Sequence, residues 1–280
     1  LPYCTAKSTE ERPELRSHTL GGTKQLYPYA RLADDQGVPI AFARQYRQAM
    51  LDEAADDGLL DWYYRPLEEY GMISNVAKNN DLLLNTSVTY KLPYGLRAEL
   101  RYQFQQLKTS TDNLLSQDTW FTRNLINSYS QIVGGEVFRP IPLGDIRNYR
   151  YADMQSHAVR GQLAYDTTFN RHNISVIIGG EARSRSTSGS FNRVYGYNDD
   201  ILSFTPVDYL SLFPQYHWPV SRSRIPDVTS FTGLINRFVS AYANAAYTYD
   251  SKYTLSGSIR QDGSNVFGVD ANRRFVPLWS

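Results

Sequence analysis

The sequence predicts an all-β protein: antiparallel hairpins of a transmembrane β-barrel, forming a partial, open section of a larger barrel with long extracellular loops. Apolar and polar residues alternate along several segments, as in Leu96 to Leu107, LRAELRYQFQQL. The reversals between paired segments are tight at one end and long at the other, which is typical of outer-membrane barrels. No run approaches the ~18 apolar residues of a membrane-spanning helix, which excludes a helical membrane protein.

The first part of the chain, residues 1–79, is predicted to be irregular and mostly an extracellular loop region. One short helix is expected there, from Phe42 to about Ala55, because Asp57-Gly58 provides a helix stop. The aromatic segment that follows predicts a surface loop that packs on its own rings.

Residues 80–280 are predicted to form barrel hairpins. The expected strands cover about 81–92, 96–107, 149–169, 172–185, 237–249 and 253–262, and the next strand starts at 275–280. Tight turns at Pro93-Tyr94-Gly95, Asn170-Arg171 and Asp250-Ser251-Lys252 join them in pairs. The intervening segments, about 108–148 and 186–236, are weakly periodic, and compact soluble domains rarely keep structureless loops of such length.

The alternation alone fits two environments. In a soluble β-sandwich the apolar face meets a core, whereas in a barrel it meets lipid. Aromatic residues cluster near the tight turns, as in the girdle of a barrel; they are Tyr90, Tyr94, Tyr165, Phe169, Tyr247, Tyr249 and Tyr253. Single-chain bacterial barrels have an even number of strands, eight or more. The sequence predicts six complete strands and the start of a seventh, so these strands are expected to be a piece of a larger barrel.

Composition and motifs exclude several classes. The net charge is only +1, which argues against a nucleic-acid partner. The single cysteine, Cys4, excludes an internal disulfide framework. The four histidines are scattered without ligand spacing, and no nucleophile elbow is present. We therefore expect no metal, no cofactor and no enzymatic activity.

Two sets of residues are the functional candidates. The polar rows of the strands should face the barrel lumen, because an Arg or Lys facing lipid at mid-depth costs about 2–4 kcal/mol. These lumen-facing residues are Arg97, Glu99, Arg101, Arg160, Glu181, Arg183 and Arg185. Aromatic residues in the extracellular segments could contact a partner or substrate; they are Trp120, Tyr129, Tyr195, Tyr197, Tyr216 and Trp218.

The last part of the chain carries a recognisable motif. Residues 260–268 read RQDGSNVFG and come before a strand that starts near VPLWS. With LLDWYYRPLEEY, DTWFTRNLINSYSQ and VFRPIPLGD upstream, this block resembles the SusC/RagA family of TonB-dependent outer-membrane receptors of Bacteroidota. The motif residues are Arg260, Asp262, Gly263, Ser264, Asn265, Phe267 and Gly268.

The resemblance implies a barrel of about 22 strands with a plug inside it, of which this chain is a mid-barrel portion in the cell outer membrane. It also implies a SusD-like surface lipoprotein as partner, the TonB complex acting through the plug, and uptake of an oligosaccharide or oligopeptide. The lumen-facing residues would then contact the plug or the substrate. A passive porin or adhesin barrel and a soluble carbohydrate-binding β-domain remain alternatives.

Overall fold

The computed structural model describes residues 3–10, 19–20, 24–25, 29–265 and 275–279. Within these residues, one antiparallel sheet of eight strands dominates. In the order in which they neighbour one another, its strands are β1 (Tyr3–Glu10), β4 (Ile73–Lys91), β5 (Leu96–Leu115), β8 (Asp145–Phe169), β9 (His172–Tyr197), β12 (Ser230–Tyr249), β13 (Tyr253–Ser264) and β14 (Phe275–Trp279).

The remaining elements lie in the connections. Three short hairpins are formed by β2 (Thr19–Leu20) with β3 (Lys24–Gln25), β6 (Gln131–Val133) with β7 (Glu136–Phe138), and β10 (Phe213–Gln215) with β11 (Trp218–Ser223). The helices are α1 (Gln48–Asp56) and α2 (Trp120–Tyr129). Neither helix is long and apolar enough to cross a bilayer.

The three predicted tight turns are confirmed. Asn170, at φ 52°, reverses β8 into β9, and Asp250 and Ser251, both at positive φ, reverse β12 into β13. Gly95, at φ 82°, ends the turn into β5, where a Cβ would lie 2.1 Å from the carbonyl oxygen of Asp166. Only glycine fits this close approach.

The long connections lie at the opposite end of the sheet, because consecutive strands run antiparallel. They cover residues 116–144 and 198–229, so they are shorter than predicted. They also carry structure of their own, namely α2, the β6–β7 hairpin and the β10–β11 hairpin. The asymmetry between the two ends is confirmed, whereas the expectation of structureless loops is wrong.

Several predicted bounds need correction. β1 lies in the range predicted to be irregular, and β4 begins at Ile73, opposite Leu115. The strands extend further because backbone pairing continues where the side-chain alternation fades. Helix α1 begins only at Gln48, since Phe42 instead exchanges two backbone hydrogen bonds with Tyr64, at 2.8 and 3.0 Å.

One face of the sheet carries exposed apolar side chains, and we call it the apolar face. Cross-strand pairing places Tyr90, Ala98, Leu163, Ile178, Ala243 and Ile259 in one row of this face. Val88 is 63% exposed and Ile178 57%. Among the described residues no second layer covers these side chains, as the core of a soluble sandwich would require.

At the long-connection end, residues 29–72, 116–144 and 198–229 form a compact unit that we call the cap. One of its two hydrophobic clusters centres on Ile126 and Tyr129 of α2 and includes the strand residues Ile146 and Tyr195. The other joins Leu51 of α1 to residues around position 60. The first cluster packs against Leu115, which has the same parity on β5 as Arg101. The cap therefore lies toward the charged side of the sheet.

Candidate functional site: the charged face and the cap

The face opposite the apolar one, the charged face, carries all seven residues predicted to face a lumen. Three strands supply them: β5, β8 and β9. In one row Arg101 pairs with Arg160, which pairs with Glu181. Neighbouring rows on this face hold Arg97, Glu99, Arg183 and Arg185. The structure thus brings these residues to one surface, while their contacts with a plug or substrate stay predictions.

A hydrogen-bond network crosses this face. Glu99 pairs with Arg101 on its own strand and accepts a hydrogen bond from the Gln162 amide at 3.2 Å. The Gln162 carbonyl oxygen accepts from the Tyr242 hydroxyl at 3.1 Å. That hydroxyl accepts in turn from Nε of Arg160 at 2.9 Å. The network holds charged groups of β5 and β8 in place through a tyrosine on β12.

Gln162 and Tyr242 also belong to the site, although neither was among the residues predicted from the sequence. Both sit on the polar parity of their strands, but neither carries a charge. The available signal was Gly179, which lies between them in the sheet and leaves room for the Tyr242 ring. Alternation cannot reveal such a contact, because it depends on the register of three strands.

A recess of about 380 Å³ lies on the charged face. Its lining includes Arg101, Arg160, Glu181 and Arg183, together with the amide of Gln103. The side chains of Arg101 and Arg183 are 60% and 50% exposed. Each guanidinium has more donors than its single carboxylate partner can accept. The recess can therefore donate hydrogen bonds to the hydroxyl, carbonyl or carboxylate oxygens of a polar ligand.

The motif residues near the chain end have a structural role in the sheet. Arg260 pairs with Asp262 at 2.9 Å on the charged face. The Asn265 side chain accepts a hydrogen bond from the backbone N–H of Arg237 and donates one to the carbonyl oxygen of Ile235, both at 2.7 Å. Asn265 thereby fastens the end of β13 to β12. Gly263 and Ser264 pair with β12, whereas Phe267 and Gly268 lie outside the described residues.

Most of the predicted contact aromatics belong to the core of the cap. Trp120, Tyr129, Tyr195 and Tyr197 are each at most 5% exposed, so they cannot present a contact surface, and this prediction is corrected. Tyr195 and Tyr197 also lie on β9 rather than in a loop. Their rings fill apolar space while their hydroxyls find partners; Tyr195, for example, donates to the Pro226 carbonyl at 2.7 Å.

The two remaining aromatics lie at the β10–β11 hairpin. Tyr216 packs on Trp62 and donates a hydrogen bond to Asp57 at 2.7 Å. Trp218 begins β11. A role of these two residues in contacting a partner or substrate stays a prediction.

A charged cluster anchors the start of α2. The Glu69 carboxylate is buried and accepts a hydrogen bond from the backbone N–H of Trp120, the first residue of the helix. The Arg44 guanidinium lies 4.0 Å from the centre of the Trp120 ring and 4.7 Å from that of Tyr64. Burial raises the pKa of Glu69, although Arg44 and Arg123 act in the opposite direction. In the part of the chain that the structure describes, no group of three acidic, His or Cys side chains could hold a metal ion.

Solved structures of a peptide transporter share this architecture. A structure of the RagAB peptide transporter aligns with a TM-score of 0.59 at 12% identity, covering 79% of this chain and 21% of that chain. The closed-closed state of the RagAB peptide importer aligns at 0.64 and 12%, covering 99% and 27%. The open-open state aligns at 0.56 and 13%, covering 79% and 21%.

No family model matches the chain, and no curated protein does. The chain spans about a quarter of the length of the transporter chains that it matches. At 12–13% identity the likeness is one of fold. The antiparallel sheet with its cap therefore has the fold of a section of these β-rich transporter chains.

Proposed function

We propose that this chain is part of a TonB-dependent outer-membrane transporter of the SusC/RagA type. It would import an oligosaccharide or oligopeptide together with a SusD-like surface lipoprotein, and it would catalyse no reaction itself. The observation that carries the proposal is a sheet with an exposed apolar face on one side and a networked charged face on the other. Lipid on the first face and a polar lumen on the second would satisfy both.

The height of the apolar band fits a bilayer. On β8 the band runs from His157 to Phe169. A rise of about 3.3 Å per residue and a tilt of about 40° give a height of about 30 Å, close to the hydrocarbon thickness of a membrane. Beyond the band, toward the long connections, the same face becomes polar: Lys108 of β5 lies opposite Asp153 of β8 in the strand register.

Aromatic rings border the band at both heights, as in a girdle. At the tight-turn end His172 stacks on Phe169 and contacts Tyr249, with ring centres 4.9 and 5.2 Å apart. At the upper border His157 packs on Phe104 and hydrogen-bonds the Tyr102 hydroxyl at 2.9 Å. Such amphipathic rings suit the interface between hydrocarbon and water.

The charged face and the cap support transport. Strands β8 and β9 continue well above the apolar band and carry the cap at that end, toward the charged side. A polar ligand would meet the cap first and then the arginines below it. The resemblance to the SusC/RagA receptors and the RagAB folds support import with a lipoprotein partner, energised by TonB through a plug.

Uptake by cells that carry the complete gene tests the proposal. Cells with the gene, cells without it and cells treated with a proton-gradient uncoupler would be given fluorescent oligopeptides or oligosaccharides. We expect uptake of one cargo class that requires both the gene and the gradient, with the protein in the outer-membrane fraction. Gene-dependent uptake that survives the uncoupler would instead indicate a passive porin. A protein found in the aqueous fraction would contradict the proposal outright.

A further inference from the structure

The cap contains a cleft that is separate from the recess on the charged face. Its volume is about 520 Å³, and it lies between α1, the β6–β7 hairpin and the end of β10 with the turn that follows it. Met50, Ile132, Val133 and Pro214 form its apolar walls. Gln131 and Gln215 add amide groups. The size suits one or two amino-acid side chains with the backbone between them, as pockets for small ligands range from about 300 to 1,000 Å³.

The charge of the cleft has one sign. Glu53 and Asp57 are four residues apart, at the end of α1, and therefore lie on the same side of the helix. No Lys or Arg lines the cleft among the described residues. His217 also lines it, and burial lowers the pKa of its imidazole, so His217 adds no positive charge at neutral pH. An incoming cation would meet two carboxylates without competition from a lining cation.

The cleft wall is held in place by aromatic packing. The Tyr216 hydroxyl donates to Oδ2 of Asp57 at 2.7 Å, and its ring packs on Trp62 with centres 6.0 Å apart. Tyr46 packs against both Trp62 and His217, at 5.0 and 4.7 Å. Side chains fixed in this way lose little conformational entropy when a ligand binds.

We propose that this cleft binds a peptide segment in which a lysine or arginine stands next to an apolar side chain. The apolar walls fit the aliphatic neighbour, and the two carboxylates complement the cation. A neutral glycan offers neither group. The role of the cleft as a cargo site rests on the proposed transport function, whereas peptide binding by the cleft does not. If the cleft is a cargo site, peptide is favoured over oligosaccharide as the cargo class.

The test uses the detergent-solubilised receptor that contains this chain and isothermal titration calorimetry. The probes are the blocked pentapeptide Val-Lys-Leu-Lys-Val, the same peptide with glutamine in place of lysine, and maltohexaose. We expect the lysine peptide to bind about fivefold more tightly than the glutamine peptide, the scale of a partly exposed ion pair. Maltohexaose should not compete with it.

Variants separate the cleft from the rest of the surface. Glu53→Gln should weaken the lysine peptide about twofold, because Asp57 still faces the cation, and leave the glutamine peptide unchanged. Asp200→Asn removes one exposed carboxylate that does not line the cleft and should change neither affinity. Ile132→Ser should weaken both peptides, because it removes part of the apolar wall.

The inference fails if the two peptides bind equally, if Glu53→Gln behaves like Asp200→Asn, or if maltohexaose displaces the lysine peptide. If the receptor shows any of these results but still imports cargo in a gradient-dependent way, the cleft proposal fails and the proposed transport function stands. A protein absent from the outer membrane would overturn the proposed function, while the calorimetry would still decide whether the cleft binds peptide.

Discussion

The ring of Tyr242 lies directly over Gly179 of the neighbouring strand. A Cβ built on Gly179 would come within 2.4 Å of the Tyr242 hydroxyl oxygen and 2.5 Å of the ring carbon that carries it. The glycine therefore gives the tyrosine its path across β9 toward Gln162 and Arg160. Gln162 and Tyr242, which carry no charge, thereby connect Glu99 of β5 to Arg160 of β8.

Adding a methyl group at this glycine should disrupt the network. Gly179→Ala should lower the free energy of unfolding by about 1–3 kcal/mol, the usual cost of overpacking, because Tyr242 must move and lose its hydrogen bonds. Gly161→Ala is the matched control, since no atom lies within 4 Å of a Cβ at that strand position. Urea unfolding of the receptor in lipid vesicles measures both. Equal effects of the two variants would refute the idea that Gly179 is needed to leave room for the Tyr242 ring.

The two faces should respond oppositely to a new charge. Val88 and Thr89 are neighbours on β4, both exposed, but Val88 pairs with Leu100 on the apolar face and Thr89 pairs with Glu99 on the charged face. Val88→Arg should cost about 2–4 kcal/mol of folding free energy in a bilayer. Thr89→Arg should cost less than about 1 kcal/mol, because it adds a cation beside Glu99. Folding titrations in vesicles would show the difference, and a costly Thr89→Arg would reverse our assignment of the faces.

The core of the cap should be sensitive to truncation at α2. Ile126 is fully buried there, whereas Ile201, after β9, is 70% exposed. Ile126→Ala should lower the free energy of unfolding of the cap by about 2–5 kcal/mol, since it leaves a cavity. Ile201→Ala should change it by no more than about 0.5 kcal/mol. Tryptophan fluorescence during thermal unfolding reports on the cap through Trp62 and Trp120, and a tolerant Ile126 would contradict a packed core.

The buried carboxylate at the start of α2 should make the cap pH-sensitive. Burial raises the pKa of Glu69 above its ordinary value of 4.5. Below pH 4.5 the carboxyl is protonated in both the folded and the unfolded chain, so it contributes no pH dependence. Above pH 4.5 the carboxyl loses its proton in the unfolded chain but keeps it in the folded chain. The unfolded state is therefore favoured as the pH rises, and the free energy of unfolding falls until the pH passes the raised pKa of the folded state.

Glu69→Gln should therefore remove part of the loss of cap stability between pH 4.5 and 7.5. The amide oxygen still accepts a hydrogen bond from the backbone N–H of Trp120, so the helix start is kept. Glu68→Gln is the control, because this neighbour is more exposed, with 44% of its side chain accessible. Thermal midpoints of the tryptophan signal at the two pH values provide the measurement. A Glu69→Gln variant with the full wild-type pH dependence would show that another group is responsible.

Sequence alternation predicted the sheet because it is a local property. Each hairpin from Leu96 onward shows its two faces within a few residues, and left-handed residues such as Asn170 mark the turns. The seven charged residues predicted to face the lumen could be assigned to one face by parity alone, and the register agrees. The same reasoning failed for β1 and for the upper part of β5, where polar residues on both faces weaken the alternation although backbone pairing continues.

Burial, in contrast, was decided by tertiary structure. An aromatic residue such as Tyr195 has the same sequence character whether it faces solvent or a core; only the packing of α2 against the strand ends makes it core. The Tyr242–Gly179 contact and the acidic cleft beside Tyr216 likewise join segments that are far apart in the chain. The amino-acid sequence by itself determined which side chains share a strand face, because that follows from a two-residue period. The fold decided which of them are covered and which meet, because both depend on contacts between distant segments.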